Sequence, residues 1–372
     1  MGLRRLAEKR KRATMSVQER DVLAAMSTVM DPDLNQNLVQ AGMVKDLRIE
    51  GGSVKLRIEL TTPACPLKDK IKADAEAALK KVAGVQSLAI EMTAQVRAKP
   101  TSKDQLLPQV KNVLLVGAGK GGVGKSTVAL NLACALARHG ATVGLLDADF
   151  YGPSVPLMTG ITERPVSPDG KTLHPLEKHG LKVMSIGFLV EADQALIWRG
   201  PMLHGALMQL VRDVRWGELD YLVLDLPPGT GDVALTLSQS VKASGAVLVT
   251  TPQDVALADV VRAKQMFDKV HIPVLGIVEN MSQFVCPNCS HVTPIFHHGG
   301  GRKAAEMFQI PFLGEIPLEL KVRVAGDTGT PVVVGAPDSL EAKAFVEMAR
   351  NIAGRVSAQS VRSIPLPVMQ AR

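Results

Sequence analysis

Residues Gly117–Thr127 read Gly-Ala-Gly-Lys-Gly-Gly-Val-Gly-Lys-Ser-Thr, and this glycine-rich stretch decides the fold. It follows an apolar run at 113–116 and precedes a segment with helical spacing of apolar residues. A buried strand, a glycine loop ending in Lys-Ser/Thr and a helix form the context that a phosphate-binding loop requires. We therefore predict that backbone N–H groups of this loop surround phosphate oxygens at a helix N-terminus.

The loop predicts a nucleotide site that contains two lysines with different roles. Lys125 is expected to neutralise the β- and γ-phosphates, and the Ser126 hydroxyl to complete a Mg²⁺ shell. Lys120 follows the first loop glycine, where it either reaches the phosphate of a nucleotide in a neighbouring subunit or stays a solvated loop residue. The predicted nucleotide-binding residues of the loop are Gly119, Lys120, Gly121, Gly122, Val123, Gly124, Lys125, Ser126 and Thr127.

The Lys-Gly-Gly-x-Gly-Lys-Ser/Thr form of this loop resembles the deviant Walker A loop of the MinD, ParA and nitrogenase-iron-protein superfamily. Members of that superfamily hold nucleotide between two protomers. The resemblance therefore implies a homodimeric P-loop ATPase, with Lys120, Lys125 and Asp149 in catalytic roles.

Strand and helix patterns alternate beyond residue 111, which predicts an α/β fold with a doubly wound, mainly parallel sheet and helices on both faces. The predicted strands are Val113–Val116, Val143–Asp147, Tyr221–Asp225, Val247–Thr251 and Val274–Val278. The predicted helices lie near 125–138, 203–216, 233–241, 254–270, 301–308 and 339–353.

The remaining sequence predicts a small N-terminal α+β domain and several extended segments. The predicted divisions are a basic tail (1–15), the small domain (16–95), an exposed linker (96–110), the P-loop domain (111–355) and a flexible tail (356–372). The small domain is expected to contain helices over 17–30 and 67–82 and strands over 44–49, 54–60 and 87–92.

Two cysteines outside the close pair have separate interpretations. Cys65 lies in the turn Thr-Thr-Pro-Ala-Cys-Pro (61–66), which resembles the small domain of cytosolic iron–sulfur assembly factors and PaaD-like proteins. It is either a thiolate activated by a helix N-terminus or a small residue packed into a tight turn. Cys134 lies inside an apolar helical segment and is expected to be inert core.

The charge distribution limits the classes of partner. The net charge of +7 first suggests a nucleic-acid ligand, but residues 1–12 hold six cations and one acidic residue. The other residues are close to balanced, so we expect the basic arm to be a solvated tail first and a partner-binding patch second, with no nucleic-acid partner. No apolar run approaches the roughly 18 residues of a membrane span, and the charged N-terminus lacks a secretory signal. We therefore expect a cytoplasmic protein without a membrane partner.

Three aspartates and one asparagine follow predicted strands, where ligands bind in open α/β sheets. Asp225 takes the place of a Walker B carboxylate that holds Mg²⁺. By resemblance to the superfamily, Asp149 orients the attacking water and Asp147 supports the loop, although the reverse assignment stays open. Asn280 is a candidate for contact with the base edge, and the lack of an Asn-Lys-x-Asp tetrapeptide favours ATP over GTP.

The pair Cys286 and Cys289 is spaced for one metal to be bound by both sulfurs. A zinc site needs four ligands, so it would require supplements such as His291, His297 or His298. A 4Fe–4S cluster takes four thiolates, which two copies of the pair supply across a twofold axis. This count favours a cluster that bridges a homodimer, with a 2Fe–2S form left open.

The motif order then resembles Mrp/ApbC-type iron–sulfur cluster carriers over about residues 16–355. The matching motifs are K-G-G-V-G-K-S-T, D-A-D-F-Y-G-P-S, W-R-G-P-M (198–202), D-L-P-P-G-T-G-D, V-E-N-M-S and C-P-N-C. The resemblance implies an ATP-hydrolysing carrier that receives a cluster from donor or scaffold proteins and transfers it to apo iron–sulfur proteins. Rival interpretations are a MinD/ParA-like positioning ATPase, a zinc metallochaperone and a nitrogenase-iron-protein-like reductase.

Overall fold

The computed structural model describes residues 17–97, 106–189, 200–229, 235–237, 240–286 and 288–362. Its chain divides into two compact units, Met1–Val96 and Arg97–Arg372. The basic arm, Trp198 and the predicted helix start at 233 lie outside the described residues.

The first unit is a small α+β domain built on a three-stranded sheet. Its elements are α1 (Glu19–Met26), β1 (Met30–Asp31), β2 (Gln36–Asn37), β3 (Val44–Glu50), β4 (Ser53–Leu60), α2 (Lys68–Leu79) and β5 (Ser87–Ala94). β4 is the central strand, antiparallel to β3 and parallel to β5. Its alternate residues Leu56 and Ile58 are buried, as are Ile71 and Leu79 of α2. The predicted helices and strands are therefore confirmed, with α1 shorter than the predicted 17–30.

The second unit contains a large sheet with flanking helices. Its strands are β6 (Val110–Ala118), β7 (Val143–Asp147), β8 (Leu176–Lys178), β9 (Leu181–Ser185), β10 (Leu219–Asp225), β11 (Gly245–Thr250), β12 (Val274–Val285), β13 (Val292–Thr293) and β14 (Phe312–Leu318). Its helices are α3 (Lys125–Arg138), α4 (Val155–Thr159), α5 (Gly200–Arg212), α6 (Asp254–Lys269), α7 (Gly300–Met307), α8 (Leu320–Asp327), α9 (Val332–Gly335) and α10 (Leu340–Arg362).

The strand order is β13-β12-β11-β6-β10-β7-β9-β8, and β14 also pairs with β12. The central neighbours β11, β6, β10 and β7 are all parallel. Their residues are almost continuously buried, as expected for a parallel sheet covered on both faces. The predicted doubly wound, mainly parallel α/β fold is thus confirmed. The carboxyl ends of β6, β7 and β10 lie side by side and bring the phosphate loop, Asp147 and Asp225 to one edge.

The predicted flexible tail is wrong over residues 356–362. Helix α10 continues to Arg362, and Val356 and Ser360 are buried in line with Phe345 and Ile352. The Ser360 hydroxyl donates to the Val356 carbonyl at 3.0 Å, which satisfies its polar group inside the helix. The apolar spacing did not predict this turn because Ser360, a small polar residue, occupies a buried position.

No helix among the described residues combines the length and the apolar character needed to cross a membrane.

Candidate functional site

The predicted phosphate loop connects β6 to α3 in the way that its sequence requires. Gly122 and Gly124 both have a φ of +80°, a backbone conformation that favours glycine. Gly124 immediately precedes the first residue of α3, so the loop ends at a helix N-terminus. Val123 is buried, whereas Gly121 and Gly122 are exposed. The loop therefore presents its glycine backbone outward at the carboxyl edge of the sheet.

Lys125 and Asp225 form the central ion pair of this edge. Lys125 Nζ donates to Asp225 Oδ1 at 2.6 Å and to Ser126 Oγ at 3.2 Å. The same ammonium lies 3.8 Å from Asp149 Oδ2. Burial raises the pKa of Asp225 above its ordinary value, and the nearby Lys125 charge opposes that rise. Four predicted site residues thus meet here, because Ser126, Asp149 and Asp225 all lie near the Lys125 ammonium.

The second oxygen of Asp225 points to a cation function. Among the described residues Asp225 Oδ2 has no hydrogen-bond partner, although the side chain is completely buried. A buried carboxylate oxygen without a donor is costly unless a cation or ordered water meets it. Ser126 supplies a hydroxyl oxygen beside the same ammonium, and hydroxyl and carboxylate oxygens suit Mg²⁺. The residues present therefore fit the predicted Mg²⁺ site of Ser126 and Asp225.

Asp147 organises the segment that carries Asp149. Its Oδ1 accepts from the Asp149 N–H at 3.1 Å, and its Oδ2 accepts from Ser185 Oγ at 2.9 Å and the Val155 N–H at 3.3 Å. Burial, with a further contribution from the Asp225 charge, raises the pKa of Asp147 to about 7. These contacts fit the supporting role given to Asp147. The water-orienting role of Asp149 stays a prediction.

Asn280 forms a hydrogen bond to the backbone of the phosphate loop. Its Nδ2 donates to the Val123 carbonyl at 2.8 Å, and its side chain is buried. A Cβ at position 124 would clash with the same amide nitrogen, so glycine is required there for a second reason. Sequence reasoning assigned Asn280 to the base edge and missed this contact. The base contact stays a prediction, and the loop contact is an observed function of the side chain.

The cysteine pair lies at the tip of a hairpin formed by β12 and β13. Phe284 and Val285 pair with the two residues of β13, and the Cys286 N–H donates to the His291 carbonyl at 2.9 Å. Cys286 is half-buried and Cys289 is exposed. The backbone N–H groups of Cys289 and Asn288 lower the pKa of the Cys286 thiol, which favours the metal-binding thiolate. Both sulfurs therefore lie where a ligand outside this chain can reach them.

The other two cysteines occupy different surroundings. Cys65 is half-buried in the turn before α2, where its N–H donates to the Thr62 carbonyl at 3.3 Å. Cys134 is buried in α3, and burial raises the pKa of its thiol to about 12. Its predicted place in the core is confirmed.

Ser185 is a further site residue that sequence reasoning missed. It is the last residue of β9 and pairs in register with Asp147 at the end of β7. Because β9 was not predicted, nothing placed this hydroxyl beside the aspartate. The signal was the alternation of Leu181, Val183 and Ser185 after Gly180, which a search for short edge strands would have found.

Comparison with known families and structures gives a consistent result. Residues 109–353 match the family described as NUBPL iron-transfer P-loop NTPase, and residues 19–92 match the iron-sulfur cluster assembly protein family. An iron-sulfur cluster carrier protein of Deinococcus radiodurans is 51% identical over 94% of this chain and 99% of that protein. One of Synechocystis is 49% identical over 90% and 97% of the two chains.

Two solved structures resemble a large part of this chain. A nucleotide-binding protein of Archaeoglobus fulgidus in complex with ADP is 40% identical, with a TM-score of 0.55 over 62% of this chain and 92% of that one. The cell division ATPase MinD of Pyrococcus furiosus is 25% identical, with a TM-score of 0.50 over 65% and 98%. The phosphate loop and the aspartates at its edge of the sheet agree with the family match. This chain therefore belongs to the iron-transfer P-loop NTPase family, as the match over residues 109–353 shows.

Proposed function

We propose that the chain is an ATP-hydrolysing carrier that binds an iron–sulfur cluster between two copies of itself and transfers it to apo-proteins. The observation that carries the proposal is the course of β12. This strand holds the phosphate loop through Asn280 and leads, six residues later, into Cys286. One strand, with an irregularity at Met281, thus joins the nucleotide site to the cysteine pair. The family and its named carrier relatives support the same activity.

In the nucleotide site, Lys125 changes its ion-pair partner. When ATP binds, the ammonium exchanges the Asp225 carboxylate for the β- and γ-phosphates. Asp225 and Ser126 would hold Mg²⁺, and the ion would offset the charge of the phosphate oxygens. Asp149, whose carboxylate already lies 3.8 Å from Lys125, orients the attacking water. Lys120 is half-buried beside the exposed Gly121 and Gly122, and it reaches the nucleotide of the partner copy.

Cluster binding depends on the half-buried Cys286 and the exposed Cys289 of each copy. A 4Fe–4S cluster takes four thiolates, so two hairpins facing each other across a twofold axis complete its ligand set. The backbone N–H groups of Cys289 and Asn288 lower the pKa of Cys286 below its ordinary value, which favours the thiolate form that binds metal. A cluster with only two ligands from each copy is released when the copies separate. The donors are cluster-assembly proteins, and the acceptors are apo iron–sulfur proteins.

Coupling follows from mechanical continuity between the two sites. Nucleotide binding and hydrolysis alter the loop that Asn280 holds, and β12 conveys the change to the hairpin that carries Cys286. The relative pose of the two copies changes with it, and the bridging cluster becomes bound or exposed.

A transfer experiment tests this function. Protein reconstituted anaerobically with iron and sulfide is mixed with an apo-ferredoxin in the presence or absence of Mg·ATP, and cluster arrival is followed by absorption. Cys286→Ala is expected to abolish transfer and leave ADP affinity unchanged. Lys125→Ala is expected to abolish ATP hydrolysis and the nucleotide effect on transfer.

The matched control is Cys65→Ala, which removes a cysteine outside the hairpin and is expected to transfer at the normal rate. Undiminished transfer by Cys286→Ala contradicts the proposal. Zinc without sulfide in the anaerobically purified protein would favour a zinc metallochaperone instead.

A further inference from the structure

One group of potential metal ligands lies outside both the nucleotide site and the cysteine pair. Glu279, His298 and Glu315 each offer one ligand atom, and these atoms all lie within 4.8 Å of one another. Glu279 and Glu315 are paired residues of the parallel strands β12 and β14, and His298 comes two residues before α7. We propose that these three side chains bind a divalent transition-metal ion of the Zn²⁺ or Fe²⁺ class.

Glu279 is held in place as a metal ligand needs to be. The side chain is completely buried, its Oε1 accepts from the Gly299 N–H at 3.0 Å, and its Oε2 accepts from the Gly301 N–H at 2.6 Å. A Cβ at position 301 would lie 3.0 Å from the Glu279 Cβ, so glycine permits this close approach. Each oxygen uses one lone pair on an N–H and keeps another. The carboxylate is thus oriented by its surroundings and still able to bind a cation.

His298 and Glu315 supply the accessible half of the site. His298 Nε2 and Glu315 Oε2 are 3.0 Å apart, and both side chains are partly exposed. Zn–N and Zn–O bonds are about 2.0–2.2 Å long, so adjacent ligands of one ion lie about 3 Å apart. The observed separation therefore suits two neighbouring ligands. Solvent access at these two residues gives an ion a route to the buried Glu279.

The local charges favour a cation. Two carboxylates, one of them fully buried, face each other within 4.8 Å. Among the described residues neither carboxylate forms an ion pair with a lysine or arginine. Arg302 lines the same groove as Glu315 but stacks over the Phe312 ring at 4.3 Å. One imidazole nitrogen with two carboxylate oxygens suits zinc or ferrous iron better than Mg²⁺, which prefers oxygen ligands alone.

The position of the group gives the bound ion a structural consequence. His298 lies near the end of the segment that begins at Cys286, and Glu279 directly precedes Asn280, the residue that holds the phosphate loop. An ion bound here fastens the far end of the cysteine-bearing segment to β12 and β14. This inference does not depend on cluster transfer and stands or fails separately from it.

The experiment uses the full-length Cys286→Ala/Cys289→Ala protein, which lacks the two hairpin cysteines that would compete for the ion. After removal of metals, Co²⁺ is titrated and followed by visible absorption, and Zn²⁺ is titrated by calorimetry. We expect one Co²⁺ for each chain, with weak ligand-field bands and no sulfur charge-transfer band. His298→Gln is expected to weaken Co²⁺ and Zn²⁺ binding at least tenfold, and Glu315→Gln to do the same.

The matched control is His297→Gln, which changes the neighbouring exposed histidine and is expected to keep the parent affinity within twofold. Thermal melts confirm that all variants remain folded. Failure of the parent protein to bind Co²⁺ overturns the proposal. So does an affinity that His298→Gln leaves unchanged or that His297→Gln lowers equally, because the imidazole of His298 is then not a ligand.

Discussion

Lys125 Nζ and Asp225 Oδ1 are joined by a 2.6 Å ion pair in the interior of the second unit. The lysine side chain is 6% exposed and the aspartate is completely buried. Breaking one partner of such a pair leaves a buried charge without compensation, at a cost of about 3–5 kcal/mol. Lys125, for which we propose phosphate binding, and Asp225, for which we propose Mg²⁺ binding, therefore stabilise each other in the nucleotide-free protein.

Lys125→Met tests this mutual dependence. The change is expected to lower the free energy of unfolding of the nucleotide-free protein by about 3 kcal/mol at neutral pH, because Asp225 loses its closest cation. Denaturant unfolding followed by circular dichroism measures the loss. The double variant Lys125→Met/Asp225→Asn removes the unpaired charge as well and is expected to be more stable than the single variant. Equal stability of the single and double variants contradicts the ion pair's role.

The raised pKa of Asp147 predicts a pH dependence of stability. Between pH 3.8, the ordinary pKa of an aspartate, and about pH 7, the folded protein keeps a proton on this carboxyl, whereas the unfolded chain has released it. The contribution of Asp147 to the free energy of unfolding is therefore greatest below pH 4 and falls as the pH rises to 7. The slope for one such proton is at most about 1.4 kcal/mol per pH unit.

Asp147→Asn keeps the shape of the side chain and removes the titration. Thermal melts of metal- and nucleotide-free protein between pH 4 and 7 are expected to show a flatter dependence for this variant. If the melting temperatures of variant and parent depend on pH in the same way, a group other than Asp147 retains the proton.

Asn280→Ala is expected to weaken ADP binding about fivefold. The variant removes a hydrogen bond to the Val123 carbonyl, a contact worth about 1 kcal/mol, and so loosens the phosphate loop before nucleotide arrives. A fluorescent ADP analogue measures the dissociation constant. Asn351→Ala is the matched control, because its amide donates to the Leu313 carbonyl at 3.0 Å and is not part of the loop. An unchanged affinity in Asn280→Ala would mean that the loop is held by its own backbone.

The local parts of the fold and the site were predictable from sequence. Residues 117–127 determine a strand, a loop and a helix start through glycine conformations and a Lys-Ser pair that act on their immediate neighbours. Asp147 and Asp225 were found because apolar strands lead directly into them. Cys286 and Cys289 were found by spacing alone.

The long-range contacts were not predictable. Asn280 reaches the loop across more than 150 positions, and Ser185 meets Asp147 only because β9 adds to the edge of the sheet. Glu279 and Glu315 face each other because β14 pairs with β12, although no strand was predicted at 312–318. In the last two cases the register between paired strands brings the groups together, and no residue pattern within one segment contains that register.

The last turns of α10 allow a test of whether residues 356–362 pack on the core as part of the helix. Val356→Ala is expected to lower the free energy of unfolding by about 2 kcal/mol, because its side chain is almost completely buried. Arg355→Ala, on the exposed face one residue earlier, is expected to change stability by less than about 0.5 kcal/mol. Denaturant unfolding compares the two. A neutral Val356→Ala would mean that the chain beyond residue 355 does not pack on the core.

The most direct test of the central claim is an iron, sulfide and mass determination on the anaerobically reconstituted protein. Native mass spectrometry of the wild-type chain and of Cys286→Ala/Cys289→Ala gives cluster content and subunit number together. We predict one cluster for each pair of wild-type chains and no cluster on the variant. A cluster carried by a single chain, or kept by the variant, would contradict it.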